Sequence, residues 1–281
     1  MGATPNHHFC SEFIPGGLAS RLSAVGVRRK YWPNGSTIKI AFIGGTAAQR
    51  KFVQETAAQW LVFARGLSFE YVTDLSQSDV RISFVQGAGS WSTVGLDCFL
   101  VGKSLATMNF GWLDVAVVLH EFGHMLGLGH EHQNPNSPIN WNRPVVYTDL
   151  KGAPNYWSEP DIDFNVLSNY DPNKVDTTPL DGTSIMMYQV IPSWTLDGFS
   201  VGFNTAISTT DASFIRGIYP SLVPEDETII KLRGIFQTKR ELAYLTEGAV
   251  VRIGKELGFD VDAARNKPTN VETVATGLGL V

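Results

Sequence analysis

The chain has 281 residues, of which 43% are hydrophobic and 17% charged, and its formal net charge is −5 at pH 7. A chain of this composition can bury a core, which excludes global disorder. The negative charge, with no long basic run, argues against a nucleic-acid partner, and the lack of a long apolar stretch argues against a membrane span.

Residues 1–30 form a mixed leader that we interpret as a possible pro-segment. The leader lacks the basic segment and the apolar segment of a secretory signal. A cytoplasmic location, or export by a route without such a signal, is therefore expected; the alternative is a secreted protein whose signal has been removed. Cys10 and Cys98 are too few for a disulfide framework, and they either pair once or remain thiols.

The segment that follows the leader is predicted to contribute one helix and several strands. Residues 46–66 have a helical apolar stripe, a capping threonine at Thr46 and a terminating glycine at Gly66. Alternating and β-branched patterns predict strands at residues 36–44, 67–73 and 79–86, and a short edge strand at 107–111.

The middle of the chain begins with a helix and then becomes irregular. Asp114 is predicted to cap a helix that ends near Leu126. Asn, Pro and Gly are frequent from about residue 130 to about residue 210, which predicts loops, and residues 210–220 are predicted to form one further helix. This order of elements predicts an α+β domain with a groove between two lobes.

Residues 222–281 are predicted to be a linker followed by a small helical appendage. Candidate helices lie at about 246–257 and 269–279, and Thr269 with Glu272 forms a capping box in the second of them. We expect this tail to pack on the main domain. The alternative is a separate module that binds an unknown partner.

The sequence HEFGHMLGLGH carries the strongest chemical signal. His120 and His124 are four residues apart, so on a helix their imidazoles share a face and can bind one metal ion. Glu121 lies beside that face, where the glutamate of an H-E-x-x-H pattern acts as general base. Gly127 can adopt a positive φ and turn the chain, so that His130 returns as a third ligand. Three histidines and one water form the open Zn²⁺ site of a hydrolase.

Two other functions remain open for a chain with this pattern. A binding module that has lost catalysis is expected to lack Glu121 or one of the histidine ligands. A structural zinc domain is expected to have four protein ligands, usually with cysteine among them. The sequence has neither feature, so the zinc site of a hydrolase is favoured. His132 falls outside the pattern and is interpreted as an ordinary loop histidine.

The pattern H-E-x-x-H-x-x-G-x-x-H is that of the metzincin metalloproteases, and further segments resemble the astacin family within them. These segments occur in the family's order: YWPNG at 31–35, GSWSTVG at 89–95, Glu131 after the third histidine, the Met-turn DGTSIMMY at 181–188 and ISTTDASFIRGIYP at 207–220. The resemblance implies a metzincin-type zinc protease fold over residues 31–221, with a mixed twisted sheet, a backing helix, a zinc-binding helix and an irregular C-terminal lobe. It also implies peptide or protein substrates.

The resemblance further implies roles for residues outside the histidine pattern. Met186 is expected beneath the zinc ion as an apolar, polarisable floor. Tyr188 is expected to hydrogen-bond the tetrahedral intermediate, and Glu131 to pair with a freed amino terminus. An extended substrate is expected to run antiparallel to the predicted edge strand at 107–111.

Three departures from the family pattern indicate a microbial-type branch. Two cysteines cannot supply the two disulfides of the secreted members. The family's arginine and aspartate after the third histidine are absent, and Met187 stands where animal members often have histidine.

Cys10 suggests a way in which the leader regulates the enzyme. A thiolate at this position could bind the zinc ion and block the water site, which would make the enzyme latent. The alternatives are an ordinary cysteine or a disulfide with Cys98.

Overall fold

The computed structural model describes residues 10–12, 26–27, 30–153 and 155–221. Most of the leader lies outside the described residues, and so does the predicted appendage at 222–281 with both of its candidate helices. Within the described ranges, no helix is both long enough and apolar enough to pass through a membrane.

Short strands form a mixed sheet at the centre of the domain. The strands are β1 (Ser11–Glu12), β2 (Gly26–Val27), β3 (Thr37–Ile43), β4 (Ser68–Tyr71), β5 (Val80–Ser83), β6 (Trp91–Ser92), β7 (Met108–Asn109) and β8 (Val175–Asp176). Six of them are ordered β1-β6-β7-β5-β3-β4, and β2 pairs separately with β8. Only the β6–β7 pair of the six-stranded sheet is antiparallel. The predicted α+β fold with a mixed sheet is therefore confirmed.

The prediction that residues 107–111 form an edge strand is wrong. β7 lies between two neighbours, because Met108 is opposite Ile82 of β5 and Asn109 is opposite Trp91 of β6. The second neighbour has only two residues, too few for alternation to reveal it as a strand. Beyond β6 lies β1 of the leader, which runs parallel to it.

Five α-helices pack around the sheet in the described part of the chain. They are α1 (Ala47–Ala57), α2 (Val115–Met125), α3 (Arg143–Lys151), α4 (Glu159–Ile162) and α5 (Thr209–Ile218). Thr46 caps α1 through a capping box with Gln49, as its sequence predicted, but α1 ends at Ala57 and continues only as a 3-10 turn. The region predicted to be loops contains α3 and α4, so that prediction was wrong there. Both helices are short and have proline in the first turn, a position that tolerates it.

Two large hydrophobic clusters lie within the described part of the chain. The first joins the sheet, α1 and α2, and includes Ile185 and Met186. The second joins α3, α4 and the chain around Trp194, and includes Cys10, Met187 and Tyr188. The Met-turn therefore contributes side chains to both clusters and connects them.

Hydrogen bonds from three distant aromatic side chains hold the C-terminal half of α2 in place. The indole of Trp60 donates to the Leu119 carbonyl at 2.9 Å. The indole of Trp32 donates to the Met125 carbonyl at 2.8 Å. The hydroxyl of Tyr219 donates to the Leu126 carbonyl at 2.8 Å. The bonds to Met125 and Leu126 satisfy carbonyls at the buried end of the helix, which would otherwise be costly, whereas the bond to Leu119 anchors the middle of α2.

Candidate metal centre and active site

The three histidines of the sequence pattern converge on one point. Asp114 caps α2 by accepting a hydrogen bond from the Val117 amide at 2.8 Å, and α2 then presents His120 and His124 on one face. The centroids of their two rings are 4.8 Å apart. The ring of His130, which lies beyond the end of the helix, is 4.7 Å from that of His124 and 5.4 Å from that of His120.

Gly127 makes the turn that returns His130 to the site. It has φ +93°, a conformation that side-chain-bearing residues rarely adopt. Its amide donates to the His124 carbonyl at 2.8 Å, and the Leu128 amide donates to the Gly123 carbonyl at 2.9 Å. These bonds close the helix end, and a Cβ at position 127 would lie only 2.8 Å from the Tyr31 ring.

Each of the three imidazoles is oriented through Nδ1 by an oxygen acceptor. His120 donates to the Ile185 carbonyl at 2.8 Å and His124 donates to the Leu128 carbonyl at 2.9 Å. The Nδ1 of His130 faces the Gln133 Oε1 at 3.3 Å. An Nδ1 that donates leaves the lone pair on Nε2, which is the arrangement that hydrogen-bond partners impose on metal-binding histidines.

Burial keeps all three imidazoles neutral at pH 7. It lowers the pKa of His120 to about 4, and the backbone hydrogen bond to Ile185 opposes this only partly. It also lowers the pKa values of His124 and His130 well below the usual value, and the neighbouring histidines lower them further. The neutral imidazole is the form that binds a metal ion.

The site fits a zinc ion on three observations. The buried Nε2 of His120 has no hydrogen-bond partner among the described residues. The Nε2 atoms of His124 and His130 lie 3.2 Å apart, although each carries a lone pair. The possible ligand atoms of Cys10 and the three histidines all lie within 4.8 Å of one another. A cation between these atoms would satisfy all of them, and nitrogen and sulfur donors suit Zn²⁺.

Glu121 lies beside the histidine cluster and is fully buried. Its exposed fraction is 0%, and it occupies the α2 position directly after His120. Charged residues are rarely buried to this extent unless a metal ion or a specific partner stabilises them. The role of this carboxyl group as general base stays a prediction.

The Met-turn is tied to both the zinc-binding helix and the closing helix. The buried Asp211 of α5 accepts hydrogen bonds from the Ile185 amide at 2.8 Å and the Ser184 hydroxyl at 2.7 Å. The carbonyl of Ile185 in turn orients His120. The Met186 sulfur packs against α2 at Gly123, where a Cβ would lie only 2.3 Å from it. The absence of a side chain at Gly123 thus leaves the space that the Met186 sulfur occupies.

Tyr188 contacts the histidine cluster from the second lobe. Its ring centroid lies 4.4 Å from that of His130 and 6.1 Å from that of His120. Its hydroxyl donates a hydrogen bond to the backbone carbonyl of Cys10. The phenol therefore binds a peptide carbonyl next to the histidine cluster.

A profile of the astacin peptidase family matches residues 25–193. The chain belongs to the astacin family. A solved structure of myroilysin is 39% identical, covers 70% of this chain and 99% of its own, and superimposes with a TM-score of 0.68. A crystal structure of myroilysin is 36% identical, covers 77% of this chain and 92% of its own, with a TM-score of 0.57.

Two zinc metalloproteinases of Caenorhabditis elegans are also similar. The protein nas-37 is 30% identical over 112 residues and nas-30 is 31% identical over 101 residues, which are 40% and 36% of this chain. The matches cover only 14% and 13% of the two relatives' lengths. The family and the site together show that residues around the histidine cluster form the catalytic domain of a zinc metalloendopeptidase.

The two cysteines of this astacin-family chain lie in different surroundings and are not joined by a disulfide. Cys10 is buried beside the three histidines. Cys98 is buried in the cluster that includes the sheet, where desolvation raises the pKa of its thiol to about 12. The alternative of a Cys10–Cys98 bridge is therefore wrong, whereas a thiol at the metal position agrees with the latency hypothesis.

Glu131 lines a small cavity in the described part of the chain. Its Oε1 accepts hydrogen bonds from the Asp181 amide at 2.9 Å and the Asn134 amide group at 3.0 Å. Burial raises the pKa of the Glu131 carboxyl to about 7. Asp181 and Asp211 also line the cavity. Pairing of Glu131 with a freed amino terminus stays a prediction.

Sequence reasoning missed a group of polar residues that supports the third histidine. The Tyr170 hydroxyl accepts a hydrogen bond from the His130 amide at 2.9 Å and donates to the Gln133 Oε1 at 2.7 Å. His132 lies in the short 3-10 turn Glu131–Gln133, outside the group that could hold a metal ion, and it is fully buried, which the sequence did not indicate. Its only signal in the sequence was its place two residues after His130. Tyr170 lies 40 residues away from its partner, a distance that no local pattern spans.

Proposed function

We propose that the whole protein is a zinc-dependent endopeptidase in which Glu121 is the general base. The observation that carries this proposal is the full burial of Glu121, directly after His120 in α2, where His120 converges with His124 and His130. His120, His124 and His130 would hold a zinc ion, which would supply Lewis acidity at the point where they converge. The Glu121 carboxylate takes a proton from the attacking water and returns it to the leaving amine.

The role proposed for Tyr188 is to donate a hydrogen bond to the oxygen of the reacting carbonyl. The Cys10 carbonyl, which accepts this bond in the structure, is itself a peptide carbonyl and so stands in for that of a substrate. A donor held here strengthens its bond as negative charge develops on the oxygen, which lowers the barrier.

Tyr188→Phe is expected to lower kcat by about 10- to 100-fold, because one donor to the oxyanion is lost. Phenylalanine retains the ring that packs against His130, so bound zinc and the melting temperature should change little. Steady-state kinetics on a quenched fluorescent peptide, with metal analysis of the same sample, measures both effects. An unchanged kcat would remove Tyr188 from the mechanism.

The sheet edge that would receive an extended substrate is β6 rather than β7. Within the described residues, β7 is paired on both sides, whereas the outer side of β6 is covered only by β1 of the leader. A peptide that replaced β1 could form backbone hydrogen bonds with Trp91 and Ser92. A substrate antiparallel to β6 would run opposite to the leader, which is parallel to it.

We further propose that the leader keeps the enzyme latent by occupying three parts of the site together. The Cys10 thiol lies at the metal position, its carbonyl takes the Tyr188 hydroxyl, and Ser11–Glu12 covers β6. Each contact removes a function that hydrolysis requires: the open coordination position, the oxyanion donor and the substrate edge.

Cys10→Ala is expected to raise the initial rate of peptide cleavage by the zinc-loaded full chain at least about tenfold, because thiolate is a strong zinc ligand that competes with water. Cys98→Ala is the matched control, since it removes the other buried thiol away from the histidines. Equal initial rates for the wild-type chain and the Cys10 variant would end the latency proposal.

A further inference from the structure

His132 is packed between groups of the active site without being part of the metal-binding group. Its ring stacks on that of Tyr188, with a centroid distance of 4.3 Å and an interplanar angle of 27°. It also stacks on His130 at 5.2 Å and 28°. We propose that His132 is a positioning residue that holds the Tyr188 ring where its hydroxyl meets the reacting carbonyl. This inference rests on the proposed function of Tyr188.

His132 is itself fixed by a segment that does not belong to the zinc-binding helix. Its Nε2 donates to the Asn165 carbonyl at 2.9 Å, and the Asn165 side chain donates to the Asp161 carbonyl at 2.9 Å. The neighbouring Gln133 side chain donates to the carbonyls of Phe164 and Ser168, at 2.6 and 2.8 Å. The turn that follows α4 therefore holds residues 132 and 133 in place. The His132 imidazole can then limit the movement of the Tyr188 ring that stacks on it.

The contacts of His132 exclude a role as a zinc ligand in the described structure. The group that could hold the metal ion consists of Cys10 and the three other histidines. The Nε2 of His132 already donates to a carbonyl, and its Nδ1 has no hydrogen-bond partner among the described residues. Its closest aromatic contact at the site is the face of Tyr188. We therefore expect His132 to affect the reaction through the placement of that ring, and zinc affinity reports any effect through the stacked ring of His130.

The test is a double-mutant cycle in the zinc-loaded full chain carrying Cys10→Ala. We expect His132→Ala to lower kcat about tenfold with little change in KM or zinc affinity, because the donor is misplaced rather than lost. His132→Phe, which keeps a flat ring against Tyr188, should restore most of kcat. His132→Ala should have no further effect in a Tyr188→Phe chain, because the hydroxyl that it positions is already absent.

Affinity for a phosphinate peptide provides a second readout that does not require turnover. His132→Ala should weaken its binding about tenfold when Tyr188 is present and not when it is phenylalanine. The inference would be overturned if the losses in either cycle were independent and multiplicative. It would also be overturned if His132→Phe failed to restore kcat, or if His132→Ala caused a large loss of zinc affinity. Coupled phosphinate binding without any zinc-dependent turnover would instead contradict the proposed function.

Discussion

Glu121→Gln is expected to lower kcat by about 1,000-fold or more while zinc remains bound. General acid–base catalysis contributes about 10²- to 10⁴-fold, and glutamine cannot accept the proton of the attacking water. The substitution preserves the size of a side chain that is fully buried on α2, so the three imidazoles should stay in place. Kinetics on a fluorescent peptide and metal analysis of the same preparation measure both parts of this prediction.

The control for Glu121→Gln is Glu159→Gln, which makes the same chemical change at an exposed carboxylate that pairs with Lys151. Surface ion pairs contribute little, so this variant should keep wild-type kinetics and stability. Residual activity within about tenfold of the wild type in Glu121→Gln would contradict the general-base assignment. Loss of zinc in that variant would show instead that the carboxyl group is needed to assemble the site.

His120→Ala is expected to abolish measurable turnover and to weaken zinc binding by more than about 100-fold, because even outer partners of metal ligands are worth about 10- to 100-fold in affinity. The change removes a ligand whose Nδ1 is held by the Ile185 carbonyl. Of the three histidine ligands, only the close pair of His124 and His130 would then remain. Competition with a chromophoric chelator measures the affinity.

Thermal melting separates loss of the metal site from loss of the fold in the His120 variant. Zinc that binds only the folded state raises the melting temperature, so the wild-type chain should melt higher with zinc than after treatment with a chelator. His120→Ala should fold without metal, and zinc should shift its melting temperature much less. Wild-type affinity for zinc in this variant would disprove the proposed ligand set.

The part of the site that lies within one sequence segment could be predicted closely. The positions of His120, His124 and Gly127 follow from helical periodicity and from the backbone freedom of glycine, both of which are local properties. The capping residue Asp114 is likewise recognised by its own side chain. The expectation that Tyr188 acts at this site rested on the resemblance to a family, because the spacing of residues in the sequence does not indicate it.

Features that depend on pairing between distant segments could not be predicted. β6 is only two residues long, and its neighbours β1 and β7 lie about 80 residues before it and 16 residues after it, so nothing local identifies which strand is at the edge. The role of His132 depends on a turn more than 30 residues away, which supplies the Asn165 carbonyl. Both features depend on long-range contacts, which periodicity does not encode.

The attachment of Cys10 to the same chain as the histidines determines how the proposed blockade responds to concentration. A tethered group encounters its site at an effective concentration that reaches the millimolar range for short flexible links, whatever the amount of protein in solution. Dilution therefore would not release it, whereas a single backbone scission between Cys10 and the catalytic domain would convert an intramolecular ligand into a freely diffusing peptide. Cleavage would then convert the latent enzyme to the active enzyme abruptly and irreversibly.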